Sequence, residues 1–181
     1  MKCLQGQLLV ATHRQLDPNF ARTVILVIEH DVRGAFGVIV NRPTRIGVLQ
    51  SRVNEHRCQV DLQLNLGGPV TGPLMVLHTN RFLAEIEVSP GLFFSAKDGN
   101  VAGLLRQRSR CHRAFVGYTG WGSGQLEDEL EKGMWITVPA TDKYVFCEGE
   151  NLWGELSKQI SESVLRILFH MRHIPQDPLL N

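Results

Sequence analysis

The sequence predicts an α+β fold. Three observations carry that reading. Apolar, β-branched runs crowd the first half of the chain, helical periodicity dominates the second half, and strand and helix never alternate in the regular way a doubly wound parallel sheet requires. With 181 residues the chain is the size of one domain, so 1–181 is read as a single unit. Apolar residues make up 43% and charged residues 20%, ordinary globular usage that excludes a disordered chain.

The elements follow in order. Gln7–Thr12 is a short apolar strand, ended by the polar turn of Asp17, Pro18 and Asn19. Thr23–His30 is β-branched and nearly all apolar, which suits a strand covered on both faces. Asp31-Val32-Arg33-Gly34 supplies turn chemistry before a second strand at Ala35–Asn41, so the two form an antiparallel hairpin. Pro43 ends that strand and leaves Asn41 and Arg42 projecting from it. Gly47–Arg57 reads as a weakly periodic helix with Leu49 and Val53 on one face. Gly67-Gly68-Pro69 and Gly72-Pro73 mark a loop, and Leu74–Thr79 a strand. Ile86–Val88 and Leu92–Ser95, split by Pro90-Gly91, form a further pair of strands.

Ser95 followed by Asp98 resembles a capping box for a helix striped by Val101, Leu104 and Leu105. Ala114–Thr119 reads as a strand, Gly120–Gly124 as a glycine-rich turn, and Leu126 and Leu130 as one face of a helix ended by Gly133. Trp135–Val138 and Tyr144–Cys147 read as strands. The last helix runs from Leu152 to Phe169, with Trp153, Leu156, Ile160, Val164, Ile167 and Leu168 expected to face the core.

Nineteen basic and eighteen acidic residues leave a formal charge of +1, so no global field recruits nucleic acid or anionic lipid. The longest aliphatic run, Val24–Ile28, falls far short of the roughly 20 residues of a membrane helix. MKCLQGQLLV lacks the features of a signal peptide, so the expectation is a cytoplasmic protein with no membrane partner. Cys3, Cys58, Cys111 and Cys147 contain no C-x-x-C spacing and are expected to stay reduced. His170 and His173 offer two ligands without a third, so neither a metal nor a cofactor is expected.

The densest motif is Gly117-Tyr118-Thr119-Gly120-Trp121-Gly122-Ser123-Gly124-Gln125-Leu126-Glu127. A dinucleotide fingerprint starting at Gly120 needs glycine where Gln125 stands, and a phosphate-binding P-loop needs a closing Gly-Lys-Ser/Thr that is absent. A serine nucleophile elbow at Ser123 needs glycines in place of Trp121 and Gln125. Glu127, Asp128 and Glu129 already compensate the dipole of the following helix, so an anion gains little there. Two readings survive: a tight turn anchored by Trp121, or a permissive backbone lining a pocket. Either way, Gly120 or Gly122 is expected in a conformation that other residues resist.

At this loop the sequence resembles the bacterial YqgE/AlgH family, also called UPF0301 or DUF179. The matching residues run from Gly6-Gln7-Leu8-Leu9-Val10-Ala11-Thr12 through Asp17-Pro18-Asn19-Phe20, Thr23-Val24-Ile25 and His30. They continue with Gly34-Ala35, Gly37 to Pro43, Gly67-Gly68-Pro69-Val70, the glycine motif itself and a closing Asp177-Pro178-x-Leu180-Asn181. His13, Thr119 and Ser123 depart from the family pattern. The resemblance implies a single domain with a bifurcated, barrel-like, mostly antiparallel sheet and flanking helices. It implies no established enzymatic activity, and the label of transcriptional regulator carried by some members rests on genetic association.

Three functions compete. The first is a non-enzymatic binding or regulatory module for a small molecule or protein. Its cleft would be lined by Asn41, Arg42, Gly67, Gly68, Pro69, Gly120, Trp121, Gly122, Gly124, Gln125 and Glu127, polar or glycine-rich positions at strand ends. Arg42 and Glu127 either meet ligand charges or pair with each other. The second is DNA binding through Arg106, Arg108, Arg110 and Arg113, without any helix-turn-helix pattern beside them. The third is hydrolase or transferase chemistry, for which His78, Ser123 and Glu127 have suitable side chains but no matching motif.

Overall fold

Alternation and β-branching decide where the chain extends, and they do so from its first strands onward. The computed structural model describes residues 3–44, 49–53, 56–60, 64–107, 112–146 and 151–171, with the backbone path alone at 49–53, 56–60, 170 and 171. β1 (Gln7–Ala11), β2 (Val24–Asp31) and β3 (Gly34–Ile39) open it, followed by β4 (Leu49–Val53) and β5 (His56–Val60). β6 (Leu64–Leu66), β7 (Met75–His78), β8 (Ile86–Ser89) and β9 (Leu92–Ser95) precede α1 (Asp98–Arg106). Then come β10 (His112–Val116), β11 (Thr119–Gly122), α2 (Gln125–Glu131), β12 (Trp135–Pro139), α3 (Asp142–Val145) and α4 (Leu152–Met171).

Two five-stranded sheets result, ordered β11-β3-β2-β1-β12 and β6-β10-β7-β9-β8. Their ladders are antiparallel except for β6 beside β10. Three apolar clusters define the layers. Leu9, Ile25, Val27, Trp121, Trp135 and Leu126 lie between the first sheet and α2. Leu8, Leu26, Val38, Leu77, Phe94 and Phe115 fill the space between the sheets, together with Leu152 and Leu156 of α4. Val76 and Ala114 pack under Val101, Leu104 and Leu105 of α1. Val24–Ile28 is fully buried because both faces of β2 are covered, as its continuous apolar run requires. The architecture is α+β. The sheets branch where β10 passes into β11, and they do not close into a barrel.

Several elements differ from expectation. The helix expected at Gly47–Arg57 is a hairpin, with Leu49 opposite Val60 and Val53 opposite His56. Leu49, Ser51 and Val53 alternate with Gln50 and Arg52, and that period of two prevails over a weak helical one. The strand expected at Tyr144–Cys147 gives way to the one-turn α3, too short to show helical periodicity; Cys147 lies outside the described residues. The expected turn at Gly120–Gly124 is strand as far as Gly122. In α4, Leu152 and Leu156 are buried, whereas Val164, Ile167 and Leu168 are half or more exposed instead of facing the core. At about 1.5 Å per residue, 20 residues outrun the sheet that the first turns pack against.

The capping box at Ser95 is also replaced. Ser95 is fully buried at the end of β9, and Lys97 occupies the N-cap position without a side-chain cap. The carboxylate of Glu85 takes over from across the turn, accepting hydrogen bonds from the N–H groups of Ala96 (3.2 Å) and Lys97 (2.9 Å) and from Asn100 Nδ2 (2.9 Å). Burial alone would raise its pKa; these bonds and the Lys97 charge overcome that and hold it below the ordinary 4.5. A depressed carboxyl pKa stabilises the fold above the unfolded value and ceases to do so as the group protonates. Glu85→Ala should therefore lower stability by about 1 kcal/mol, the usual worth of a cap. In denaturant titrations the difference from wild type should shrink as the pH falls below 4.5.

Candidate functional site

The glycine motif begins where the chain leaves one sheet for the other. Gly117 has φ +72°, and a Cβ there would overlap the Gly68 carbonyl oxygen; one at Gly68 would overlap the Tyr118 carbonyl. Only glycines permit this approach. It lets Val70 and Tyr118 exchange both backbone hydrogen bonds, at 3.1 and 2.9 Å. Gly67 joins the same junction, accepting from Ile39 N–H and donating to Val116. The expectation of an unusual backbone at Gly120 or Gly122 is corrected: both sit in β11 without positive φ, and the left-handed residue of the turn is Gly124, at +74°.

Past the strand, the motif binds itself together. Gln125 Oε1 accepts from Gly122 N–H at 3.0 Å, and Gln125 Nε2 donates to Glu129 Oε1 at 3.1 Å. Glu129 Oε2 receives both indole N–H groups, from Trp121 at 3.0 Å and Trp135 at 2.7 Å. The two rings meet edge to face with centroids 6.4 Å apart. Ser123 Oγ donates to the Val32 carbonyl, which pins the turn to the β2–β3 hairpin. Glu129 is the centre of this network, and no spacing rule in the sequence singled it out.

Glu127 meets His30, with Oε1 2.9 Å from Nε2. His30 Nδ1 accepts the Leu4 N–H at 3.1 Å, so the proton of the neutral ring lies on Nε2 and is donated to Glu127. Asn41 is equally committed: its Oδ1 accepts from Val24 N–H at 2.8 Å and its Nδ2 donates to the Arg22 carbonyl at 2.9 Å. Arg42 Nη2 donates to the Pro18 carbonyl at 3.2 Å. The pairing of Arg42 with Glu127 does not occur.

The structure brings some of the nominated residues together and separates others. Leu66 N–H donates to the Arg42 carbonyl, so Asn41 and Arg42 lie beside the Gly67–Val70 segment, which in turn meets Tyr118. Gly122 instead faces Gly34, at the opposite end of β3 from Asn41. Seven residue steps of extended chain, at about 3.3 Å each, separate Gly34 from Asn41, so the positions run along one side of the sheet. An open groove of ≈ 310 Å³ between α3 and α4 contains none of them; Lys143, Lys158, Glu155, Glu162, Tyr144 and Gln159 line it.

His78 and Ser95 are the right residue types for nucleophilic catalysis, and they touch. His78 Nδ1 accepts the Asn80 N–H at 3.2 Å, so Nε2 carries the proton and donates to Ser95 Oγ at 3.0 Å. Ser95 Oγ in turn donates to the Leu83 carbonyl. This polarity is opposite to that of a base taking a proton from a serine. Burial lowers the pKa of His78, and the neighbouring His112 lowers it further. His112, directly across the ladder, is also lowered by burial. Among the described residues no three His, Cys, Asp or Glu side chains are grouped to hold a metal ion. The His170 and His173 side chains, Cys58 and Cys111 lie outside that description.

The DUF179 family, described as AlgH-like, matches residues 8–164. A UPF0301 protein of Chlorobaculum tepidum is 38% identical over 156 residues, covering 82% of each chain. One from Chlamydia trachomatis is 30% identical and covers 98% of this chain and 95% of its own. Among solved structures, the AlgH protein of Pseudomonas aeruginosa is similar with a TM-score of 0.70 at 26% identity, over 97% of this chain and 96% of that one. A Corynebacterium diphtheriae protein gives a TM-score of 0.64 at 25% identity, over 85% of both.

Two outcomes are expected from the buried polar groups. Glu129→Ala leaves both indole donors unpaired in a tight core and should cost about 2–4 kcal/mol. Glu129→Gln, which keeps an acceptor, should cost less; tryptophan fluorescence during denaturation reads both. For the histidines, the unfolded state binds protons first, because the folded pKa values lie below the ordinary 6.5. Their contribution is complete above pH 6.5 and declines as the pH falls below it. The denaturation midpoint should drop across that window, with a shallower slope in His112→Gln.

Proposed function

The chain belongs to the AlgH-like DUF179 family, and on that premise we propose that it is a non-enzymatic binding module. It engages its partner along the side of the first sheet where Gly67–Val70, Tyr118 and Gly120–Gly122 lie. The observation that carries this reading is the commitment of the buried polar groups. His30, His78 and Ser95 spend their ring nitrogens and hydroxyl on internal hydrogen bonds, and none of them is free to start a reaction. Asn41, Gln125 and Glu127 are likewise engaged within the fold, so they position the backbone rather than meet a ligand. The glycines of β11, by contrast, stay exposed without any internal contact that calls for them.

The buried position of Arg113 weighs against the DNA-binding alternative. It donates to the Val145 carbonyl and to Asn65 from the interior, so it is not available to a phosphate. Arg106 is exposed at the end of α1, while Arg108 and Arg110 lie outside the described residues. Changing Arg106, Arg108 and Arg110 together to Ala, with the buried Arg113 left in place, tests that alternative. In a salt titration with genomic fragments, binding should stay in the non-specific range of about 10⁻⁴–10⁻⁶ M and weaken equally for every fragment in the triple variant. One fragment held at about 10⁻⁸ M or tighter at physiological salt would overturn the binding-module reading in favour of a regulator.

A further inference from the structure

One end of the first sheet carries a cation at each of four neighbouring strands. Ala11 pairs with Trp135, Val10 with Val24 and Ile25 with Ile39, so β1 and β3 finish where β2 and β12 begin. Arg42 follows β3, Arg22 precedes β2, Arg14 follows β1 and Lys132 precedes β12. Neighbouring strands lie about 4.8 Å apart, so the row spans on the order of 14 Å. Arg14, Arg22 and Lys132 are exposed, and Arg42 is half-buried.

The row is held in place without being neutralised. Arg14 Nη1 donates to the Lys132 carbonyl at 3.2 Å, and Arg42 is tied to the Pro18 carbonyl. The guanidinium of Arg22 lies over the Trp153 ring, 5.7 Å from its centroid. A guanidinium has five donors, so Arg14 and Arg42 each keep most of theirs for another acceptor. Among the described residues none of the four cations makes an ion pair with a carboxylate. Of the acids nearest in sequence, Asp17 accepts from the Asn19 N–H, and Glu131 is exposed on α2. A chain whose charges balance to +1 therefore concentrates positive charge at one end of a sheet.

Three further observations select what meets it. Leu16, in the β1–β2 loop beside these cations, is 83% exposed, so the surface offers an apolar contact as well as charge. Trp153 packs against the core and carries Arg22 over its ring, so it is no stacking platform for unpaired bases. Arg22 itself has φ +57°, where glycine would sit more easily, so backbone geometry does not account for an arginine there.

We propose that this end of the first sheet docks an acidic segment of a partner protein. Its carboxylates meet Arg14, Arg22, Arg42 and Lys132, and an apolar side chain covers Leu16. Arginine suits the task because its planar fork takes a carboxylate through two parallel hydrogen bonds. This contact goes beyond the surface proposed above: its partner is chosen by charge, and it does not depend on that surface.

The test uses the full chain and a fluorescein-labelled decapeptide of eight glutamates around a central Leu-Leu, read by anisotropy. The peptide should bind, and raising the salt from roughly 50 to 200 mM should weaken it about tenfold. Changing Arg14, Arg22 and Arg42 together to Gln should weaken it about tenfold or more at constant salt. If that variant shifts the unfolding midpoint, Arg22→Gly serves instead, since glycine suits the left-handed backbone; a loss of about threefold is expected. Wild type that fails to bind the peptide, or variants that bind it equally well, would overturn the proposal. Tighter binding of a ten-nucleotide polydeoxythymidine would overturn it in favour of nucleic acid. Binding to phosphatidylserine vesicles in place of the peptide would overturn it in favour of a lipid surface. None of these results bears on Gly67–Val70 and Tyr118, so the binding-module reading stands or falls separately.

Discussion

The close crossing of Gly67-Gly68 with Gly117-Tyr118 is the constraint on which the rest of the architecture depends. β10 belongs to one sheet and β11 to the other, yet only Gly117 and Tyr118 lie between them. A chain that changes sheets in so few residues needs left-handed backbone and a partner segment with no side chain in the way. That crossing sets the height of β11 against β3 and so delivers Trp121 to the core beneath α2. It also leaves Gly120 between Tyr118, which Val70 holds, and Gly122, which Gln125 holds.

Much of the fold was legible because burial imposes a period. Val24–Ile28 reads as a strand covered on both sides, and Leu126 with Leu130 as one helical face; packing agrees with local preference at both. Legibility failed where an element was too short to show a period, as in α3, or where two periods competed, as in β4 and β5. It failed again where a distant group took over a local task. Ser95 looks like a helix cap by spacing, but its hydroxyl is spent in the core and Glu85 caps α1 from another turn.

The candidate segments were legible as motifs, whereas the partner each side chain takes within the fold was not. Glycines serve three different purposes here: left-handed backbone at Gly124, close approach at Gly68, and an empty face at Gly120. One letter stands for all of them, so the sequence cannot assign the purpose. Polar residues mislead in the opposite sense. Asn41, Gln125 and Glu127 stand at strand and helix ends, where ligands are often met, yet each is held by a backbone or side-chain partner that the sequence does not place nearby. Glu129 was legible only as a charge at the start of a helix, because its role as acceptor comes from Trp121 and Trp135, brought together by the strand on either side of α2.

The order of strands in the first sheet has a consequence for synthesis. β1, β2 and β3 are neighbours in the chain and form the middle of the sheet, while β11 and β12 flank them from about eighty residues or more later. As the chain leaves the ribosome, the central trio pairs with itself and then waits, with both of its edges bare, until Pro139 has emerged. At about 5–20 residues per second that interval lasts several seconds, long compared with hairpin formation in microseconds. During it the nascent protein exposes two unpaired backbone edges and the apolar faces of β2. A factor that shields nascent chains therefore has its longest task in the middle of this protein, and a ribosomal pause between β3 and β11 prolongs the period of greatest risk.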